Sequence, residues 1–378
     1  MFKRLFTAPK NQSFFLFGPR GTGKTTWLKK EFPNALYFDL LESQIYRNLL
    51  ADPGRLENMI PQNTKNWVIL DEVQKVPELL NEVHRLIENR DIKFILTGSS
   101  ARKLKKQGVN LLAGRAYTKH AYPLCSAELE ESFNLEQALK WGSLPGLFNT
   151  ENPDQFLNAY LQTYLKEEIE QEARVRDLGA FARFLEVASL CQGSVMNMSN
   201  VARETGVHRK VVENYFSILE DLMIAYQIPA FSKRAKRDLI LHRKFYFFDA
   251  GVYRALRPKG PLDTREEGDG AGLETLVLQE LKALNEYLGR NYGIFYWKST
   301  TNLEVDFVLY GEHGLKGIEV KRTAHLNPSD LRGVKAFLKD YPEAEVRIFY
   351  GGKHKLYYEG KIEAIPMEEG IRGLKDWL

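Results

Sequence analysis

The segment Gly18-Pro-Arg-Gly-Thr-Gly-Lys-Thr25 follows directly on the apolar run Phe14 to Phe17 and fits the pattern G-x-x-x-x-G-K-[ST]. A short strand that runs through such a loop into a helix commits the N-terminal part of the chain to a nucleotide-binding α/β core. Gly18, Gly21 and Gly23 let the backbone curl until its N–H groups point at one place, and the following helix adds its positive end. Pro19, Arg20, Thr22 and Thr26 complete the loop and the first helical turn. Lys24 would reach the β- and γ-phosphates and Thr25 would ligate a metal, so the implied cofactors are ATP and Mg²⁺.

At 378 residues the chain exceeds one ordinary core, and two or three domains are expected. A hydrophobic content of 44% excludes a mostly disordered chain, and a net charge of +4 is too small to argue for nucleic acid by itself. Cys125 and Cys191 match no metal-ligand spacing, which is the usage of a reduced, cytoplasmic compartment. The N-terminus lacks the apolar core of a signal peptide and no run approaches membrane-spanning length, so neither export nor insertion is expected.

Up to about residue 125, short apolar strands alternate with helices, the rhythm of a parallel sheet wrapped by helices. Strands are expected at 14–17, 35–39, 67–70, 93–97 and 116–122, with helices at 24–31 and 77–89. From about 154 the pattern turns helical, at 155–174 and 180–190. Residues 198–219 have the spacing of a helix-turn-helix, with Ser199 as N-cap, Gly206 in the turn, and Val211, Tyr215, Ile218, Leu219 and Leu222 as the apolar face of the second helix. Basic clusters follow at 233–237 and 242–244. The Gly- and Asp-rich stretch 266–272 reads as a loop before a helix at 273–288. A second α/β domain is then expected, with strands at 294–298, 304–310, 317–321 and 346–350 and a helix at 331–339. The reading divides the chain into 1–150, 151–235 and 236–378.

Trp67-Val-Ile-Leu-Asp-Glu72 is an apolar strand ending in two acids. Asp71 would hold Mg²⁺ through water and Glu72 would polarise the attacking water. The next strand ends in Leu96-Thr-Gly-Ser-Ser100, which makes Thr97, Ser99 and Ser100 candidates to sense the terminal phosphate if the two strands are neighbours. Arg102 and Arg115 could meet the phosphates from the same copy or a neighbouring one.

A second acidic constellation lies far from the first. Asp306 in Glu304-Val-Asp-Phe-Val308, with Glu319 and Lys321 in Ile318-Glu-Val-Lys321, gives two strands on which Glu319 and Lys321 share a face. Asp306 and Glu319 could hold a divalent cation, with Lys321 orienting the attacking water. Glu274 lies at the margin of the apolar face of the helix before them and is a third candidate acid, whereas Glu280 nearer the centre could be a structural ion-pair residue.

Taken together these motifs resemble bacterial and archaeal P-loop ATPases of the AAA type that carry a C-terminal domain of the restriction-endonuclease-like, PD-(D/E)xK superfamily. The resemblance extends through Leu-Ala-Gly-Arg at 112–115, Gly-Ser-Leu-Pro at 142–145, Phe-Phe-Asp-Ala-Gly at 247–251 and Glu-Thr-Leu-Val-Leu-Gln-Glu-Leu at 274–281. It implies an α/β sheet of the ASCE type, in which the strand of Asp71 and Glu72 is not adjacent in sequence to the phosphate-loop strand. It also implies a winged-helix element in the middle. Where such ATPases show Tyr-Leu-x-Arg-Asp-Ile, this chain has Tyr164-Leu-Lys-Glu-Glu-Ile169, which puts a role for that arginine in doubt.

Two functions follow as expectations. In the first, the chain is an ATPase that acts on DNA. His208, Arg209, Lys210 and Asn214 would contact DNA at the start of the recognition helix, and Lys233, Arg234, Lys236 and Arg237 would add a basic patch. The C-terminal domain would then cut DNA or only grip it, and a homo-oligomeric ring would go with a motor. In the second, the chain is a nucleotide-gated switch or scaffold that binds a protein partner.

Overall fold

The structure is a computed structural model that describes residues 2–101, 104, 112–165, 177–232, 243–258, 260 and 265–378. Cα packing separates two compact units, one formed by Phe6–Tyr122 with Asp221–Met223, the other by Met1–Leu5, Pro123–Glu220 and Ile224–Leu378. The helical segment and the later sheet, separate in the sequence reading, thus fall in one unit.

The first unit is built on a parallel sheet of β1 (Ser13–Phe17), β2 (Leu36–Asp39), β3 (Val68–Asp71), β4 (Phe94–Gly98) and β5 (Ala116–His120), in the order β2-β3-β4-β1-β5. β4 lies between the phosphate-loop strand β1 and the Asp71 strand β3 and pairs with both. β1, β3 and β4 are buried along their whole length, as continuous apolar runs require when helices cover both faces. Edge strand β5 is instead nowhere fully buried and exposes Tyr117 and Thr118. Helices Lys24–Glu31 and Leu79–Arg90 flank the sheet, the latter burying Leu79, Leu80, Val83 and Leu86. Each such buried side chain contributes roughly 1.5–3 kcal/mol relative to exposure.

The second unit opens with helices, including Leu135–Trp141, Pro153–Ala159 and Leu178–Leu190. The expected helix 155–174 begins as this Pro153–Ala159 helix, while Lys166 to Ile169, like the rest of 166–176, lie outside the described residues. Helices Met198–Thr205 and Arg209–Asp221 are joined at Gly206, whose φ of 71° ends the first in the left-handed conformation. The N-cap is Asn197 rather than the expected Ser199, because the Asn197 side chain accepts from the amides of Ser199 and Asn200. The second helix buries Val212, Tyr215, Phe216, Ile218 and Leu219, while Val211 is only partly covered. An antiparallel pair follows, β6 (Ala225–Pro229) with β7 (Arg243–Phe247).

The expected loop at 266–272 belongs instead to a helix that runs from Arg265 to Tyr287. Arg254 and Arg322 both pair with its Asp269, and a Cβ on Gly272 would stand 2.8 Å from Leu139, so composition alone misreads this stretch. The helix leads into a mixed sheet of β8 (Gly293–Lys298), β9 (Glu304–Gly311), β10 (Gly314–Lys321), β11 (Glu345–Tyr350), β12 (Leu356–Tyr358) and β13 (Ile362–Pro366), in the order β12-β13-β11-β10-β9-β8. Helix Arg332–Asp340 packs on it through Phe337, whose ring lies 5.5 Å from that of Trp297.

Two of the sequence motifs meet as a structural joint. The carboxylate of Asp249, fully buried, accepts from the amides of Ser143, Gly251 and Val252. A Cβ on Gly142 would stand 2.0 Å from Asp249 Oδ1, and one on Gly251 would stand 1.8 Å from the Trp141 carbonyl oxygen. Gly-Ser-Leu-Pro and Phe-Phe-Asp-Ala-Gly are therefore locked together by close backbone approach.

Candidate functional sites

The phosphate loop leaves β1 at Gly18, where a Cβ would stand 2.3 Å from the Ala121 carbonyl oxygen. Gly21 and Gly23 take φ of 84° and 85°, a region other residues reach only under strain. Gly23 thereby becomes the N-cap of helix Lys24–Glu31. Lys24 Nζ donates to the carbonyls of Gly18 (2.6 Å) and Pro19 (3.1 Å), and Thr22 Oγ1 donates to Pro19 (2.8 Å). The ammonium is held by the loop itself. Arg20 is half-buried and Thr26 exposed at the loop rim.

Asp71 gathers the hydroxyls around it. Thr25 Oγ1 donates to its Oδ2 over 2.9 Å, Tyr37 donates to the same oxygen, and Thr97 donates to Oδ1. Thr25 and Asp71 converge on one point and fit a Mg²⁺ ion, which when bound would neutralise phosphate charge. Burial first, and then the Asp71 carboxylate, hold the Tyr37 phenol well above its ordinary pKa, so it remains a donor.

Glu72 adopts φ of 62°, a left-handed conformation that costs about 1–3 kcal/mol in a non-glycine residue. That turn sends the chain into the short 3₁₀ segment Val73–Lys75 and brings Gln74 back onto Glu72. Gln74 Nε2 donates to Glu72 Oε2 and lies 3.5 Å from Ser99 Oγ, and the Glu72 amide is held by Thr97 Oγ1. Gln74 Oε1 is buried with no hydrogen-bond partner among the described residues, against Gly98, where a Cβ would stand 2.4 Å from it. Ser99 and Ser100 are buried at the end of β4. Arg115 is half-buried and paired with Glu88, and Arg102 lies outside the described residues. Tyr37 and Gln74 went unmarked in the sequence, since their roles arise from strand adjacency and from a backbone reversal.

In the second unit Glu274, Asp306, Glu319 and Lys321 come together as the sequence motif places them, joined by residues it did not single out. β7 supplies Lys244 and Tyr246, and β9 supplies Glu304. Lys244 Nζ pairs with Glu304, lies 3.3 Å from Asp306 Oδ1 and 3.9 Å from Glu274 Oε2, and its side chain is only 3% exposed. Tyr246 donates to Glu274 Oε2 (2.7 Å). Asp306 Oδ2 accepts the Val320 amide, Glu319 Oε2 accepts the Asp306 amide, and Glu319 Oε1 pairs with Lys321. Burial, with the Asp306 charge adding to it, pushes the Glu274 and Glu319 carboxyls up to about 8. Burial alone would lower the Lys244 ammonium, but Asp306, Glu274 and Glu304 outweigh it and hold it above its ordinary value. Among the described residues no group of three or more His, Cys, Asp and Glu is arranged to hold a metal ion. The expected Asp306–Glu319 cation site is occupied by protein donors. Glu304 was legible, since alternate residues of a strand share a face with Asp306.

Glu280, expected as an ion-pair residue, is instead fully buried and accepts from the Ser126 amide (2.7 Å) and hydroxyl (2.8 Å). His208, Arg209, Lys210 and Asn214 are all exposed at the start of helix Arg209–Asp221, with Arg209 paired to Glu213 (2.8 Å). Lys233, Arg234, Lys236 and Arg237 lie outside the described residues. No helix among the described residues is long and apolar enough to cross a membrane.

Residues 10–130 match the family described as an AAA domain, residues 132–263 a domain of unknown function (DUF8612), and residues 269–369 a domain of unknown function (DUF4143). An uncharacterized protein of Haemophilus influenzae is 23% identical over 308 residues, which is 76% of this chain and 72% of that protein. Two solved structures are similar, both with a TM-score of 0.24. One is of the Aeropyrum pernix ORC1 protein in complex with DNA, 13% identical and covering 66% of this chain and 87% of that one. The other is of protein VC1899 from Vibrio cholerae, 14% identical and covering 91% and 96%. Superposition at that level carries no weight for either. Residues 10–130, with their parallel five-stranded sheet, phosphate loop and AAA-domain match, form a P-loop domain of the AAA type.

Proposed function

We propose that the chain is a Mg²⁺-dependent ATP-hydrolysing protein that acts on DNA. The observation that carries ATP hydrolysis is the convergence of Thr25, Asp71 and Thr97, with Glu72 held beside them by Gln74. Lys24 draws the phosphates, Thr25 and Asp71 hold the ion, and Glu72 takes the proton of the attacking water. Ser99, buried just after β4, would sense the terminal phosphate.

Helices Met198–Thr205 and Arg209–Asp221 with the β6–β7 pair are read as a winged helix. Its second helix presents His208, Arg209, Lys210 and Asn214 to solvent, which suits phosphate and base-edge contacts. The later mixed sheet, with Asp306 and Glu319-Val-Lys321 on neighbouring strands, is read as a nuclease-like module that grips DNA. Duplex and branched DNA should bind with an affinity that falls with salt, and Lys210→Ala should reduce the slope of that fall by about 1. Salt-independent or absent binding contradicts the DNA reading. The modest net charge of +4 favours the second reading, a nucleotide-gated scaffold for a protein partner, and absent DNA binding would select it.

A further inference from the structure

We propose that Lys244 is the resident cation of the acid cluster in the second unit, filling the place of a divalent metal so that the nuclease-like module grips without cutting. Four acidic side chains, those of Glu274, Glu304, Asp306 and Glu319, gather around β9, β10 and the helix Arg265–Tyr287. Such a group needs positive charge, and Lys244 supplies it to Glu274, Glu304 and Asp306. Most of the other oxygens are also engaged. Lys321 takes Glu319 Oε1, the Asp306 and Val320 amides take one oxygen each of Glu319 and Asp306, Tyr246 takes Glu274, and Lys298 reaches Glu304 over 3.3 Å.

The lysine is built in rather than swung in. Its backbone is paired on one side with Ile228 of β6 and bridged on the other to Val195, which fixes the register of β7. Alternation along β7 then sends Lys244 and Tyr246 to the same face, into the cluster, while Phe245 enters the aromatic core beside Phe216. The Tyr296 ring, 5.5 Å from the ammonium, closes another side. A divalent ion would have to displace a nearly inaccessible ammonium whose stem is anchored at both strand edges.

Mn²⁺ uptake by the full chain, without nucleotide and followed by electron paramagnetic resonance, tests this independently of ATP and DNA. An Asp71→Asn background silences the nucleotide site. In that background the protein should bind no Mn²⁺ that Asp306→Ala removes. Replacing Lys244 by Ala, or by Met to keep the buried stem, should create one Mn²⁺ site, lost again on adding Asp306→Ala. Metal-dependent DNA cleavage should be absent from the unaltered chain. Asp306-dependent Mn²⁺ binding with Lys244 in place would overturn the proposal even if no Lys244 variant folds. So would a folded Lys244 variant that gains no site, or cleavage that disappears in both Asp306→Ala and Lys321→Ala.

Discussion

Thr25 Oγ1 donates to Asp71 Oδ2 over 2.9 Å, joining the end of the phosphate loop to the end of β3 although β4 lies between their strands. The same carboxylate also takes the hydroxyls of Tyr37 and Thr97, so three hydroxyl groups orient one acid. Asp71→Asn keeps the shape and removes the charge a Mg²⁺ ion needs. The expected result is retained folding with ATP turnover reduced by about 10²-fold or more, read in a steady-state phosphate-release assay. Unchanged turnover would remove Asp71 from the site.

Gln74 is a positioning residue for Glu72. Its amide holds Glu72 while its own oxygen is buried without a partner among the described residues, so its side chain is fixed by packing against Gly98 as much as by hydrogen bonding. Gln74→Ala should lower kcat by about tenfold, less than the 10²–10⁴ expected for losing a general base, with KM nearly unchanged. A purely structural role would instead shift the melting temperature and leave kcat of the folded fraction intact.

Glu280 makes stability fall as pH rises. Burial pushes its carboxyl from 4.5 up to about 8, with the Ser126 hydroxyl and amide working the other way. Below pH 4.5 both folded and unfolded chains hold the proton; between 4.5 and about 8 only the folded chain does, so stability declines through that window and levels off above it. Glu280→Gln removes the titrating group while keeping an acceptor for Ser126. Chemical denaturation should show the variant gaining on the order of 5 kcal/mol over the unaltered chain above pH 8, and little at the acid end. Parallel pH profiles for the two proteins would contradict this assignment.

Much of the fold was legible because β1, β3 and β4 are apolar runs bounded by loop chemistry, and the helix Lys24–Glu31 matches its expected bounds. The segment 266–272 was not, because its glycines and acids signal a loop while Asp269 is held by two arginines and Gly272 sits against Leu139. The short hairpin β12–β13 escaped notice because β12 spans only Leu356–Tyr358. At the sites, spacing marked Lys24, Thr25, Asp71, Glu72, Asp306, Glu319 and Lys321, because each belongs to a short motif of its own. Tyr37 and Gln74 act through neighbouring strands or a reversed backbone, and nothing in their immediate sequence marks them, while Lys244 stood out only as one member of the basic cluster at 242–244. Glu280 was misjudged because helical periodicity reports burial but does not say whether a carboxyl meets a cation or a helix-initiating serine.

The central claim is that nucleotide hydrolysis in the first unit is coupled to DNA. Steady-state ATP hydrolysis, measured with and without duplex, forked and four-way DNA and with Lys24→Ala and Glu72→Gln as controls, tests it most directly. Mg²⁺-dependent turnover should rise on adding DNA and be abolished in both controls. Turnover that persists in both controls, or that is slow and indifferent to every DNA, would contradict it.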